Sequence, residues 1–263
     1  MTEKESKLVL DSNYSYLWHN CLVVISLGNI ALWYIYSQRA VDGNPHVWLS
    51  FIYTVVCAYR SFFPRIYLER WVLYDTILSS VFFGRSGATM AEISFAMQLA
   101  LQVRSLGIDN MSISFIVPML TIAQMFCWSG VVLRNNFYHI IEETLWAVAA
   151  IIIASNVSYY YLTGDAATVN SQSTALLTSL FALVAYIIYM VFVDVPMYIH
   201  KYRNGSPKDY LSLFAGIQHA LFVRVKKTSW SLQWRKESYW LTPYFSFAVW
   251  ASIYFMATWQ PSQ

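Results

Sequence analysis

The chain has 263 residues, of which 57% are hydrophobic, 18% aromatic and only 12% charged, with a formal net charge of +3. Soluble domains carry roughly 25% charged residues, so this composition excludes an ordinary soluble globular domain. Because the apolar residues form long uninterrupted runs, we interpret the chain as an all-α, polytopic integral membrane protein.

A helix that crosses the hydrocarbon core of a bilayer needs about 20 apolar residues. Seven segments meet this requirement, so we predict a bundle of about seven transmembrane helices that forms a single domain over residues 1–263. The predicted spans are 17–36, 46–63, 87–104, 113–133, 137–162, 174–194 and 240–259. We expect the first span to be retained, because no small-residue cleavage site of a signal peptide is evident near it.

Residues 65–86 form an apolar segment that also contains five charged side chains: Arg65, Glu69, Arg70, Asp75 and Arg85. One interpretation is an interfacial helix that ends at Gly84. A second makes the segment the first half of a long, tilted third span, and a third makes it a separate, eighth span. The sequence leaves these alternatives open.

The distribution of Lys and Arg predicts the orientation of the chain. With the amino terminus in the cytoplasm, cytoplasmic segments hold fifteen Lys and Arg residues, and the external loops hold only Arg39 and Arg104. Because positive charges favour the cytoplasmic side, we predict a cytoplasmic amino terminus and an external carboxyl terminus. The expected location is a plasma membrane, or the inner membrane if the protein is bacterial.

Segment 195–239 is the one long connection between predicted spans, and we place it in the cytoplasm. Within it, four apolar residues recur at helical spacing: Leu211, Phe214, Leu221 and Val225. Basic residues gather at the end of this stretch, which is typical of an amphipathic helix that lies in the headgroup layer. Such a helix could bind an anionic lipid through Arg224, Lys226 and Lys227.

The strongest polar signal lies at the start of the predicted fifth span, in the segment RNNFYHIIEETLW at 134–146. At about 100° per residue, six of its side chains fall within one arc of roughly 120°. They are Asn135, Asn136, His139, Glu142, Glu143 and Trp146. A charged side chain at the bilayer centre costs several kcal/mol, so we expect this stripe to face the interior of the bundle.

Other ionisable residues are predicted at the same depth, in the cytoplasmic third of the membrane. Glu92 lies about 7 to 8 Å into span three, and Asp194 ends span six. Arg85 lies on the same face as Glu92, where it could pair with a carboxylate, bind an anionic headgroup or anchor the span. His19 and His200 lie near span ends, where contact with water explains them equally well.

This convergence predicts a membrane enzyme that acts on a lipid or another lipophilic small molecule through a pocket open to the cytoplasm. The predicted catalytic residues are Glu92, His139, Glu142 and Glu143. The predicted substrate-binding residues are Arg85, Asn136, Trp146 and Asp194. Imidazole and carboxylate together suit a divalent metal, iron or zinc, which Glu92, His139 and Glu142 could hold. Without a metal, a protonated glutamate would be the general acid and His139 the base.

Two alternatives from other functional classes stay open. Intramembrane carboxylates and histidines also form proton relays, as a proton-coupled transporter or channel would need, although the outer half of the predicted bundle lacks a matching polar path. An accessory or sensor subunit could instead bind a hydrophobic cofactor or partner. We expect membrane lipids and a lipophilic small molecule as partners, and no nucleic acid. Cys21, Cys57 and Cys127 are interpreted as small core hydrophobes.

Overall fold

The computed structural model describes residues 3–105, 107, 111–164, 166–205 and 210–259, and this part of the chain is mostly helical. The all-α class predicted from the sequence is therefore confirmed, and helical structure covers each of the seven predicted spans. The helices are α1 (Glu3–Ser37), α2 (His46–Phe62), α3 (Val81–Ser105), α4 (Met111–Ser114), α5 (Ile116–Leu133), α6 (Asn136–Thr163), α7 (Ala166–Tyr189), α8 (Val195–Asn204), α9 (Leu213–Phe222), α10 (Leu232–Pro243) and α11 (Val249–Thr258).

Within the described residues, four helical stretches are both long enough and apolar enough to cross a membrane. They are Tyr14–Ser37, Ile116–Leu133, Asn136–Thr163 and Leu176–Asn204. A helix satisfies its backbone amides and carbonyls internally, which is the condition for crossing hydrocarbon. The fold is thus compatible with a multi-pass membrane protein.

Two helices are interrupted by a π-helical turn that adjoins a proline. Residues Met190–Asp194 form such a turn between α7 and α8, just before Pro196. Residues Tyr244–Ala248 form the other, between α10 and α11, directly after Pro243. Proline has no amide hydrogen to donate, and π turns are frequent at functional sites.

The chain forms two compact units, and the first comprises residues 3–98 and 214–259. Its core is a buried apolar cluster contributed by α1, α2, α3, α10 and α11: Leu22, Tyr53, Cys57, Ala91, Leu241, Phe245, Val249, Ile253 and Met256. Polar side chains tie these helices together. Asn29 donates to the backbone carbonyl of Phe245 at 2.7 Å and accepts from Trp250 Nε1 at 2.8 Å.

The structure of segment 65–86 differs from all three helical interpretations of the sequence, because the segment becomes α-helical only at Val81. Arg65–Ile66 (β1) pairs antiparallel with Trp71–Val72 (β2), and β2 pairs in parallel with Val225–Lys226 (β3). A short 3₁₀ turn follows at Ile77–Ser79, and α3 then begins at Val81.

The predicted amphipathic helix of the 195–239 segment is shorter than its apolar spacing suggested. Helix α9 ends at Phe222, and Val225 instead donates its amide to the carbonyl of Arg70 at 2.9 Å. Arg224, a predicted lipid contact, forms an ion pair with Asp75 at 2.8 Å. Strand pairing across more than 150 residues therefore overrides the local helical pattern.

The second unit comprises residues 99–213, and helix α6 is its central element. Helices α5, α7 and α8 each pack against α6. The backbone amide of Leu211 also donates to the carbonyl of Leu133 at 3.1 Å, which ties the end of the unit to the α5–α6 turn. The polar stripe predicted at 134–146 begins at this turn.

Candidate functional site

Helices α5 and α6 form a tight hairpin, because only Arg134 and Asn135 separate them. Arg134 adopts a left-handed conformation with φ 56°. Asn135 caps α6 by accepting a hydrogen bond from the backbone amide of Phe137 at 3.0 Å. A connection this short makes the two helices antiparallel neighbours, so residues equally distant from the turn lie at the same height.

The imidazole of His139 is held from three sides. Its Nδ1 lies 2.8 Å from Glu142 Oε2, and both side chains are buried, with 7% and 5% of their surface exposed. One face of the ring stacks on Tyr198 of α8, with a centroid separation of 5.0 Å. On the α5 side the ring lies against Gly130, where an added Cβ would lie 2.7 Å from Nε2.

Gly130→Ala is expected to destabilise the protein by roughly 1 to 3 kcal/mol, because the new methyl group and the His139 ring cannot both fit without a shift. The matched control is Gly28→Ala in α1, where an added Cβ has no atom within 4 Å apart from its chain neighbours and the local helix backbone. That variant should gain up to about 1 kcal/mol from helix propensity. Equilibrium unfolding in detergent measures both, and equal effects would contradict the close packing of His139 on α5.

Cys127 completes a cluster of three different donor groups. It lies on the buried face of α5, with 3% of its surface exposed. One ligand atom each from Cys127, His139 and Glu142 lie within 4.8 Å of one another. The thiol of Cys127, which was interpreted from the sequence as a small core hydrophobe, therefore lies beside the predicted pair of His139 and Glu142.

A sequence signal for Cys127 existed. Cys127 lies six residues before the end of α5, and Glu142 lies six residues after the start of α6. At 1.5 Å per residue, each is about 9 Å from the turn. The shortness of the Arg134–Asn135 connection places them at the same height, but it does not decide whether they lie on the facing sides of the two helices.

Two further carboxylates lie near this cluster. Asp194, at the end of the first π turn, shares a hydrogen bond with Glu143 and experiences the charge of Glu142. The hydroxyl of Tyr189 also donates to Asp194, at 3.4 Å. The structure therefore brings together four of the predicted site residues, from α6 and from the stretch before α8. Adjacent carboxylates repel one another, which favours a bound cation or a shared proton.

Asn136 and Trp146 are both half-buried on α6. Asn136 lies one turn before His139, and its side-chain oxygen is buried without a hydrogen-bond partner. This oxygen could accept a hydrogen bond from a bound molecule. Trp146 lies one turn beyond Glu142, at the far end of the predicted stripe.

Glu92 and Arg85 lie in the first unit and form an ion pair. Arg85 Nη2 lies 2.8 Å from Glu92 Oε2. The hydroxyl of Tyr244, in the second π turn, donates to the other carboxylate oxygen of Glu92 at 3.5 Å. Because Glu92 and His139 belong to different units, their joint participation in one site stays a prediction.

The two histidines predicted near span ends have ordinary polar surroundings. His19 Nε2 lies 3.2 Å from the carbonyl oxygen of Phe62, and its Nδ1 lies 3.3 Å from the hydroxyl of Tyr74. The hydroxyl of Tyr74 can therefore donate to the ring, and burial raises the pKa of Tyr74. His200 is exposed and contacts Asn204.

No protein-family model matches this chain, and neither a curated protein nor a solved structure shows significant similarity to it. The function therefore has to be argued from the chemistry of the site.

A thiol, an imidazole and a carboxylate whose ligand atoms lie within 4.8 Å of one another can bind a metal ion. Cysteine and histidine are the donors that zinc prefers, and catalytic zinc sites use three protein ligands with a fourth position open. The cluster of Cys127, His139 and Glu142 offers one such set, and all three residues are buried. Of the predicted ligands, His139 and Glu142 belong to it, whereas Glu92 pairs with Arg85.

Proposed function

We propose that this protein is an integral membrane enzyme that acts on a lipid or another lipophilic small molecule. About seven helices cross the membrane in this proposal, with the amino terminus in the cytoplasm and the α5–α6 turn on the cytoplasmic side. The observation that carries the proposal is the buried His139–Glu142 pair with Cys127 beside it, inside two helices apolar enough to cross a membrane. Ionisable groups in such helices are costly and usually functional.

We further propose that the cluster of Cys127, His139 and Glu142 holds a divalent metal as cofactor, and zinc rather than iron because a thiolate is among the ligands. His139 Nδ1 and Glu142 Oε2 are 2.8 Å apart. Two such atoms bound to one tetrahedral zinc ion are about 3.3 Å apart, so this pair would have to separate by about half an ångström to share an ion. Bound zinc supplies a Lewis acid that polarises a carbonyl or phosphoryl oxygen.

Residues of the same helix can orient the substrate. Asn136 presents a buried oxygen that has no hydrogen-bond partner, one turn from His139 toward the hairpin turn. A hydroxyl or amide group next to an apolar chain would satisfy this acceptor and leave the chain among the membrane-facing side chains. The substrate class that fits is therefore a lipophilic molecule with a hydrogen-bond donor near its reacting group.

Turnover of a lipid by the purified protein tests the proposal. The full-length chain, reconstituted with zinc into vesicles of total lipid extract from its expression host, is expected to convert one lipid class into a product seen by mass spectrometry. Glu142→Gln should reduce this conversion at least about 100-fold, because it removes the one charged carboxylate ligand of the proposed metal. Glu69→Gln, at an exposed position, is the control and should retain full turnover.

Two other results would contradict the proposal that this protein is an enzyme. Uptake of a solute driven by a proton gradient, without lipid conversion, would support the transporter alternative. A tightly retained pigment or partner protein, again without conversion, would support the accessory subunit.

A further inference from the structure

Four arginines are buried in the first unit, within or beside the connection between α2 and α3. The exposed fractions are 8% for Arg60, 5% for Arg65, 1% for Arg70 and 4% for Arg85. Arginine is almost never fully buried unless it is paired, because removal of its charge from water costs several kcal/mol. The hydrogen-bond and ion-pair partners of each guanidinium therefore show which of these charges the protein itself compensates.

Two of the four arginines have evident partners. Arg85 forms the ion pair with Glu92. Arg70 donates to the carbonyl of Tyr67 at 2.7 Å and to His219 Nδ1 at 3.1 Å. These bonds explain why both side chains can be buried.

Arg65 is bonded only in part. Its Nε donates to the carbonyl of Phe63 at 2.9 Å and its Nη1 to the carbonyl of Ser80 at 2.6 Å, but its Nη2 is buried without a hydrogen-bond partner. The side chain also lies so close to Gly84 that a Cβ there would collide with it. Burial lowers the pKa of Arg65; Tyr67 and Tyr59 oppose this shift, and the nearby charge of Arg60 adds to it.

Arg60 lies among aromatic rings. Its Cζ is 5.2 to 5.8 Å from the ring centroids of Tyr67, Tyr244 and Phe245. Cation–π attraction offsets part of the burial cost. Its Nη1 is buried without a hydrogen-bond partner.

We propose that Arg60 and Arg65 bind the phosphate group of an anionic ligand. Each of these two side chains keeps one buried nitrogen donor without a hydrogen-bond partner, and the two guanidinium groups lie close enough to interact electrostatically. The carboxylate of Glu92, which interacts with Arg60, is already paired with Arg85. The planar fork of arginine matches phosphate oxygens in pairs, and a phosphate brings about one to two negative charges. Its source is either the headgroup of a membrane lipid or free phosphate. The proposal does not depend on the metal centre.

Thermal unfolding of the full-length protein in an uncharged detergent tests this site. Inorganic phosphate or phosphatidylglycerol, compared with chloride at equal ionic strength or with phosphatidylcholine, is expected to raise Tm by about 5 °C. A shift with inorganic phosphate identifies free phosphate as a ligand, and a shift with phosphatidylglycerol alone identifies a headgroup. Arg60→Gln and Arg65→Gln should abolish the shift, whereas Arg39→Gln, which removes an exposed charge, should preserve it.

A second measurement uses only the wild-type protein, in case the arginine variants do not fold. The ³¹P resonance of the ligand that gives the shift should broaden when the protein is added. If neither ligand changes Tm or its ³¹P resonance, the site does not exist. If folded Arg60→Gln and Arg65→Gln variants keep the full shift, the phosphate binds elsewhere and the proposal is wrong.

Discussion

Replacing Cys127 by serine is expected to lower the zinc content of the purified protein from about one ion per chain to less than about a tenth of that. The thiolate is the softest donor of the cluster and the one that favours zinc. A serine hydroxyl has a similar size but stays protonated, so the ion would keep only His139 and Glu142. Mass spectrometry of the metal, after purification in zinc and removal of the excess, measures the loss.

The matched control for this experiment is Cys57→Ser. Cys57 is equally buried, with 1% of its surface exposed, but lies in α2 within the core cluster of the first unit. This variant should keep its zinc. If the wild-type protein stays metal-free when zinc is supplied, the proposed metal centre does not exist. If that metal-free protein still converts a lipid, the protein is an enzyme that works without a metal. Zinc retained by Cys127→Ser would show that the ion binds at another position.

Replacing Glu92 by alanine is expected to lower the free energy of unfolding by about 3 to 5 kcal/mol. The substitution leaves the Arg85 guanidinium, whose side chain is 5% exposed, without its carboxylate. Glu92 also interacts with the buried charge of Arg60, so its removal lowers the free energy of unfolding further. Equilibrium unfolding in detergent, followed by tryptophan fluorescence, measures the change.

Two comparisons separate burial of charge from loss of packing. The double variant Arg85→Met with Glu92→Leu removes both charges and should be much closer to the wild type. Asp75→Ala breaks the Arg224 pair, whose side chains are 21% and 55% exposed, and should cost less than about 1 kcal/mol. If Glu92→Ala and Asp75→Ala had equal effects, the buried pair would not be a main source of stability.

Periodicity within one helix was a good guide to the candidate site. His139 and Glu142 were assigned to one face of one helix because residues three apart lie close together at 3.6 residues per turn. The structure places them 2.8 Å apart. Arg85 and Glu92 were likewise assigned to one face, and they lie 2.8 Å apart as well. These relations depend only on helix geometry and not on the packing of other elements.

Relations between distant segments were not predicted. Apolar spacing extended α9 to Val225, whereas Val225 lies in a strand beside Trp71. The charged segment 65–86 was interpreted as helical because helices need only local hydrogen bonds, but two of its short stretches pair with each other and one with β3. Such pairing depends on partners that no local window contains.

The sequence by itself determined that the chain is helical and that several of its helices are long and apolar enough to cross a membrane, since both properties depend on residues close together in the chain. Only the tertiary structure decided that Cys127 lies beside His139 and Glu142, and that Arg60 and Arg65 share one buried region. Contacts of this kind depend on which helix faces pack together, and that choice is made by the whole fold.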